Sequence, residues 1–159
     1  SEAARRIYRS GVAGVRLAKA RELGFDHVIS RLQEGVVAAS RAEEPHGVDI
    51  GFGAAGVQAT LDTALKVTKR TGIVQIVALF GKPVSINLTD DVIMQGIDII
   101  GTLCYNNSFP AVLRIIDSHR DQFAPLVTKV IGLDDALEKG ILALSSDKTQ
   151  VKIMVSPEA

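Results

Sequence analysis

The sequence predicts an α/β fold built on a doubly wound parallel sheet. Three observations carry that expectation. Residues 73–79 (Ile-Val-Gln-Ile-Val-Ala-Leu) are almost continuously apolar, as a strand buried on both faces requires. Strand-like and helix-like patterns alternate through residues 24–120, the rhythm of βαβ units. The apolar content is aliphatic: 47% of residues are hydrophobic but only 4% aromatic, a composition suited to parallel strands beneath covering helices. At 159 residues the chain is long enough to bury a core of its own.

The elements follow in order. Residues 12–23 read as a helix with Val12, Val15, Leu17, Ala20 and Leu23 apolar and Gly24 as its stop. Residues 26–29 form a short strand, 32–44 a weaker helix containing Gly35, and 47–52 a second strand. In 57–69, Val57, Leu61, Ala64, Leu65 and Thr68 share one face of a helix. The apolar strand 73–79 comes next. Residues 84–88 alternate (Val-Ser-Ile-Asn-Leu) as a half-exposed strand. Thr89 is positioned to cap a short helix through Gln95, with Asp90 and Asp91 in its first turn. Residues 97–105 are a further strong strand, and a helix starts at Asn107 or Ser108 and runs to His119, with Pro110 in its first turn. After Arg120 the rhythm changes to a strand (126–131), a helix (133–144) and an alternating strand (151–155).

Composition excludes several roles. Lys plus Arg equal Asp plus Glu at 18 each, so charge gives no argument for nucleic acid or an anionic membrane. The one early basic cluster, Arg5, Arg6 and Arg9, reads as a solvated N-terminal stretch. No apolar run is long enough to span a membrane, and the first residues carry no signal-peptide pattern. A single Cys fits a reducing compartment and a cytoplasmic location. Cys104 falls in an apolar strand pattern and reads as a buried small hydrophobe. His27, His46 and His119 are scattered without partners at ligand spacing, so no metal site is expected within the chain. No pattern of nucleophile and oriented base occurs, and no catalytic residue is assigned.

Residues 51–56 spell Gly-Phe-Gly-Ala-Ala-Gly, the dinucleotide-binding pattern, between a strand and a helix. A working fingerprint also needs an acid at the end of the next strand, about 20 residues on, to hold the ribose. Residues 72–81 contain none. The preferred reading is a glycine-rich turn at the carboxyl end of a later strand.

The order of segments then resembles a known family. Residues 48–57 (VDIGFGAAGV), 72–79, 99–110 (IIGTLCYNNSFP), 125–136 (PLVTKVIGLDDA) and 151–155 (VKIMV) are similar to the second half of medium-chain dehydrogenases/reductases. Within that family the resemblance is to zinc-type alcohol and polyol dehydrogenases, nearest to butanediol and sorbitol dehydrogenases. It implies a partial Rossmann-like doubly wound sheet that lacks its first strand and its phosphate loop, which would precede Ser1. Residues 1–120 would be a partial dinucleotide-binding domain, and 121–159 a segment returning to a catalytic domain absent from the chain. The zinc ligands and proton relay would lie in that absent domain.

Site residues follow from the same resemblance. Val77, Ala78 and Leu79 match the strand end that meets the nicotinamide carboxamide, and Leu103, Cys104 and Tyr105 match a second such contact. Glu2 resembles the acid that takes the ribose hydroxyls, which favours NAD over NADP, and Arg16 matches a basic residue after that acid. One departure stands out: the stretch between Glu2 and Arg16 exceeds the family pattern by several residues, roughly 3–10. The resemblance implies a small-molecule alcohol or ketone substrate, a homo-oligomeric complete enzyme, and an isolated chain without activity. Two alternatives stay open: a non-catalytic α/β module binding a nucleotide or protein, and a zinc-free reductase of the same superfamily. The strand at 47–52, without its missing neighbour, is expected to be an exposed apolar edge.

Overall fold

A computed structural model describes residues 4–31, 35–147 and 149–158. The chain forms two compact units, one of Ser1–Ser30 with Asn106–Ala159, the other of Arg31–Tyr105. Among the described residues the strands pair in parallel as three small sheets: Tyr8–Gly11 with His27–Ser30, Val48–Gly53 with Thr68–Ile76 and then Asp98–Gly101, and Val127–Ile131 with Lys152–Val155.

The unit Arg31–Tyr105 contains α2 (Val36–Glu43), β3 (Val48–Gly53), α3 (Gln58–Val67), β4 (Thr68–Ile76) and β5 (Asp98–Gly101). Leu61, Ala64 and Leu65 share one face of α3 through their three- and four-residue spacing. They form a core with Val74 of β4 and Ile97, where Leu61 is 1% and Val74 0% exposed. Burial of each large side chain contributes about 1.5–3 kcal/mol. Among the described residues β3 pairs with β4 alone, and its Ile50 and Phe52 are exposed, as expected of an apolar edge.

Residues 84–88 are not a strand. Val84 and Ile86 do pack on the core, which explains the alternation, but no strand pairs with them. The Gln58 side chain serves as the partner instead: its Nε2 donates to the Ser85 carbonyl (2.8 Å) and its Oε1 accepts from the Ser85 N–H (2.8 Å). The following helix is a π-helical turn, Leu88–Ile93, capped not by Thr89 but by Asn87, whose Oδ1 accepts from the Asp90 N–H at 3.2 Å. β5 is shorter than its pattern, ending at Gly101.

The other unit holds α1 (Gly14–Glu22), β2 (His27–Ser30), α4 (Phe109–Ser118), β6 (Val127–Ile131) and β7 (Lys152–Val155). It also contains β1 (Tyr8–Gly11), where the sequence suggested a solvated basic stretch. β1 pairs with β2 from Tyr8↔His27 to Gly11↔Ser30. The Arg charges hid the strand because long basic side chains lay their stems on apolar surface and keep their heads in water. Arg9 lies over the Phe25 ring at 5.0 Å, and Tyr8 meets the His27 ring at 4.7 Å. Leu17, Ala20 and Val28 form a small second core. The helix expected over 133–144 is broken into a 3-10 turn (Leu133–Asp135), a π-helical stretch (Ala136–Leu142) and a short α-turn (Ala143–Ser146). Gly140 is buried there, and a Cβ on it would sit 3.2 Å from Ile131.

Candidate functional site

Ligands of open parallel sheets bind outside the carboxyl ends of the strands. In the β3-β4-β5 sheet those ends coincide: Gly53 pairs with Ile76, and Ile76 with Gly101. The segments leaving β4 and β5 therefore emerge side by side. The Thr102 N–H donates to the Ile76 carbonyl at 2.9 Å, and the Val77 and Ala78 N–H groups both donate to the Gly53 carbonyl at 3.0 and 3.2 Å. Six of the eight residues singled out in the sequence, Val77, Ala78, Leu79, Leu103, Cys104 and Tyr105, are thus brought to one edge of one sheet.

The turn after β3 leans on the same edge. Gly56 has φ +66°, and a Cβ there would lie 2.2 Å from the Leu79 carbonyl oxygen. Gly51 lies beneath α3, where a Cβ would meet Thr68 Oγ1 at 2.5 Å and the Ala64 carbonyl at 2.9 Å. Two glycines of the 51–56 motif therefore serve close approach of the protein to itself, at a helix and at a neighbouring strand exit. Helix packing and backbone approach are the same demands that a phosphate loop makes, which is why the letters coincide.

Hydrogen-bonding capacity remains at the edge. With the Val77 and Ala78 N–H groups on Gly53, the Leu79 N–H and the carbonyls of Val77, Ala78 and Leu79 have no hydrogen-bond partner among the described residues. One donor beside several acceptors complements a primary carboxamide, which offers one carbonyl and two N–H groups. The Leu79 and Leu103 side chains are 85% and 77% exposed and present apolar surface to an aromatic ring. Cys104 is not the buried hydrophobe its pattern suggested. It is exposed, lies beyond the end of β5, and has φ +55°, so the chain reverses there instead of continuing as strand.

The remaining two predicted residues are Arg16 and Glu2. Arg16 belongs to α1 in the other unit, where its Nη2 is 3.5 Å from the Gln150 carbonyl. Glu2 lies outside the described residues. The stretch of roughly 3–10 that departs from the family pattern contains most of β1, which ends at Gly11, and no acid occurs between Ala3 and Arg21.

Sequence reasoning missed Gly53, Gln75 and Thr102. Gln75 Nε2 donates to the Ile100 carbonyl (3.1 Å) and to Thr102 Oγ1, tying β4 to the exit of β5. A lone amide in the apolar run 73–79 was the available signal. Among the described residues no group of three or more His, Cys, Asp or Glu side chains could hold a metal ion. The donor set present does not fit zinc. No helix among them is long and apolar enough to cross a membrane.

Comparison with known proteins finds relatives over most of the chain. The chain is 35% identical over 151 residues to (R,R)-butanediol dehydrogenase of Bacillus subtilis, covering 95% of this chain and 43% of that protein. It is 32% identical over 129 residues to L-idonate 5-dehydrogenase of Vitis vinifera, covering 77% of this chain and 35% of the relative. The crystal structure of 2R,3R-butanediol dehydrogenase from Bacillus subtilis superposes with a TM-score of 0.86 at 34% identity, covering 97% of this chain and 44% of that one. The chain thus spans less than half the length of these relatives. The profile of the zinc-binding dehydrogenases matches residues 3–118, and the chain belongs to that family, within the medium-chain dehydrogenases.

Proposed function

We propose that this chain supplies the nicotinamide-holding edge of a dehydrogenase that interconverts secondary alcohols or polyols with the matching ketones. The observation that carries the proposal is the shared carboxyl edge, where 77–79 and 103–105 emerge together and the Leu79 N–H and the carbonyls of 77–79 have no hydrogen-bond partner among the described residues. The Val77, Ala78 and Leu79 backbone would hold the carboxamide, and the Leu103, Cys104 and Tyr105 segment would flank the ring. The bound cofactor supplies a hydride acceptor or donor. The chain's own part is to orient the ring, with the Gly53 carbonyl fixing the exit of β4 and Gln75 fixing that of β5. Substrate activation and proton movement are assigned to no residue of this chain.

NAD is the proposed cofactor, on the resemblance of Glu2 to a ribose-binding acid. A preference for NADP in the complete enzyme would remove Glu2 from the site. Cytoplasmic location and a homo-oligomeric complete enzyme belong to the same proposal.

The test is titration of the purified chain with NAD and ADP-ribose, and assay with zinc and 2,3-butanediol or sorbitol. The proposal expects negligible binding and no NADH formation above blank from the chain alone. Tight NAD binding that is lost in Gly53→Val or Gly56→Val would favour a self-sufficient nucleotide-binding module. Turnover by the chain alone would place catalytic groups within it and overturn the assignment.

A further inference from the structure

The β3-β4-β5 sheet carries a second concave site at its opposite, amino edge. The ladder between β3 and β4 breaks there: Val48 pairs with Thr68, but Ile50 pairs with Ile73. Residues 69–72 bulge out of register, and Thr71 holds φ +57°, a costly conformation for a β-branched residue. Its N–H is fixed on the Gln95 carbonyl at 2.8 Å. Bulges and strained backbone concentrate where a side chain must be re-aimed. Here they present Lys69 and Arg70 to a cavity of about 360 Å³ lined by Arg41, Pro45, His46, Lys69, Arg70 and Gln95. The lining holds three permanent cations and no carboxylate.

The wall is built rather than loose. Arg41 Nη1 donates to the Pro45 carbonyl (3.1 Å), and its Nη2 to the carbonyls of Lys66 (2.9 Å) and Thr68 (3.4 Å), joining the end of α2 to the start of β4. Lys69 is paired with exposed Asp49 at 2.5 Å. The Arg70 side chain is exposed and makes no hydrogen bond or ion pair among the described residues, while its carbonyl accepts from the Thr71 hydroxyl at 2.7 Å. A guanidinium held unpaired beside two further cations is a recognition group for phosphate oxygens, and the volume falls in the range of small-ligand pockets.

We propose that this amino-edge pocket binds a phosphate-bearing small molecule, with Arg70 as the contacting guanidinium and Lys69 and Arg41 completing the field. It is independent of the cofactor reading, which concerns the carboxyl edge.

The test titrates the isotope-labelled full chain with inorganic pyrophosphate, inorganic phosphate and AMP at a constant ionic strength of about 0.1 M, where the Debye length is about 10 Å. Saturable amide shifts are expected at Gly47, Lys69, Arg70 and Thr71. Arg70→Ala should weaken pyrophosphate at least tenfold, about 1.4 kcal/mol. Asp49→Asn, which releases Lys69, should tighten it about threefold. Arg114→Ala, on exposed α4, should change nothing. Tighter binding of AMP than of phosphate would identify the ligand as an organic phosphate ester, and equal binding as the free anion. The proposal fails if no shift saturates by about 10 mM, if Arg114→Ala weakens binding as much as Arg70→Ala, or if the shifts fall only at 54–57, 77–79 or 103–105.

Discussion

Replacing Gly56 with Ala tests whether the turn after β3 and the exit of β4 form one unit. Gly56 has φ +66°, where an L side chain costs about 1–2 kcal/mol, partly offset by about 0.4–1 kcal/mol from a less flexible unfolded chain. The added Cβ would also lie 2.2 Å from the Leu79 carbonyl oxygen. Ordinary carbon–oxygen contacts begin near 3.3 Å, so turn and strand exit must separate by about 1 Å, at an overpacking cost of about 1–3 kcal/mol. Gly96→Ala supplies the control. Gly96 has φ +63°, and its Cβ would find its nearest atom at an unstrained 3.5 Å. The backbone costs cancel between the two variants and the clash remains. Gly56→Ala should be less stable than Gly96→Ala by about 2 kcal/mol in urea unfolding, or about 4–8 °C in Tm. The Leu79 amide resonance should move in Gly56→Ala alone. Equal stability of the two variants within about 0.5 kcal/mol would refute the reasoning, since no contact between Gly56 and the β4 exit would then be limiting.

Further outcomes follow from the packing and the charges. Leu61→Ala, at a site 1% exposed, should lose about 2–5 kcal/mol by denaturant unfolding; a loss below about 1 kcal/mol would mean that α3 does not pack on β4 as described. Hydrogen exchange should protect 73–76 more strongly than 12–30, because Val74 is fully enclosed whereas the Leu17, Ala20 and Val28 cluster is small; equal protection in a monomeric sample would contradict this. Asp147 is held at about 2, against an ordinary 3.8, first by the Thr149 hydroxyl, then by the Gln150 amide and the Thr149 N–H. A carboxyl whose folded pKa is depressed stabilises the fold above its unfolded pKa, so this contribution is present above about pH 4 and fades towards pH 2. Carbon-detected titration should show Thr149→Ala moving Asp147 back towards 3.8, and an ordinary titration in the unsubstituted chain would remove the argument.

Part of the architecture was legible because α3 and β4 share a buried core of Leu61, Ala64, Leu65 and Val74. The strand read over 73–79 is Thr68–Ile76 instead, and Val77 and Leu79 lie beyond it, exposed. The place of 77–79 and 103–105 at a ligand edge came from the family resemblance, and the register of Gly53, Ile76 and Gly101 brings the two exits side by side. What failed depends on polar detail that pattern does not carry. Residues 84–88 have a strand's alternation, but the backbone of Ser85 is matched by a Gln58 side chain 27 positions away. β1 was obscured because Arg9 is charged yet lies on Phe25. Cys104 looked like strand interior, but β5 ends at Gly101, and the positive φ at Cys104 left no trace in its identity. The Thr71 bulge was equally silent, since a β-branched residue is the last that sequence reasoning would place at positive φ.

The central claim is that this chain meets a nicotinamide cofactor at the carboxyl edge of β4 and β5 and not at its Gly51-to-Gly56 motif. A cofactor-bound crystal structure of a protein that contains this chain tests it most directly. The account predicts the carboxamide hydrogen-bonded to the backbone of Val77, Ala78 or Leu79, with Leu103, Cys104 and Tyr105 in contact with the same end of the cofactor. A pyrophosphate seated on the amides of 54–57, at the start of α3, with the nicotinamide away from 77–79, would contradict it.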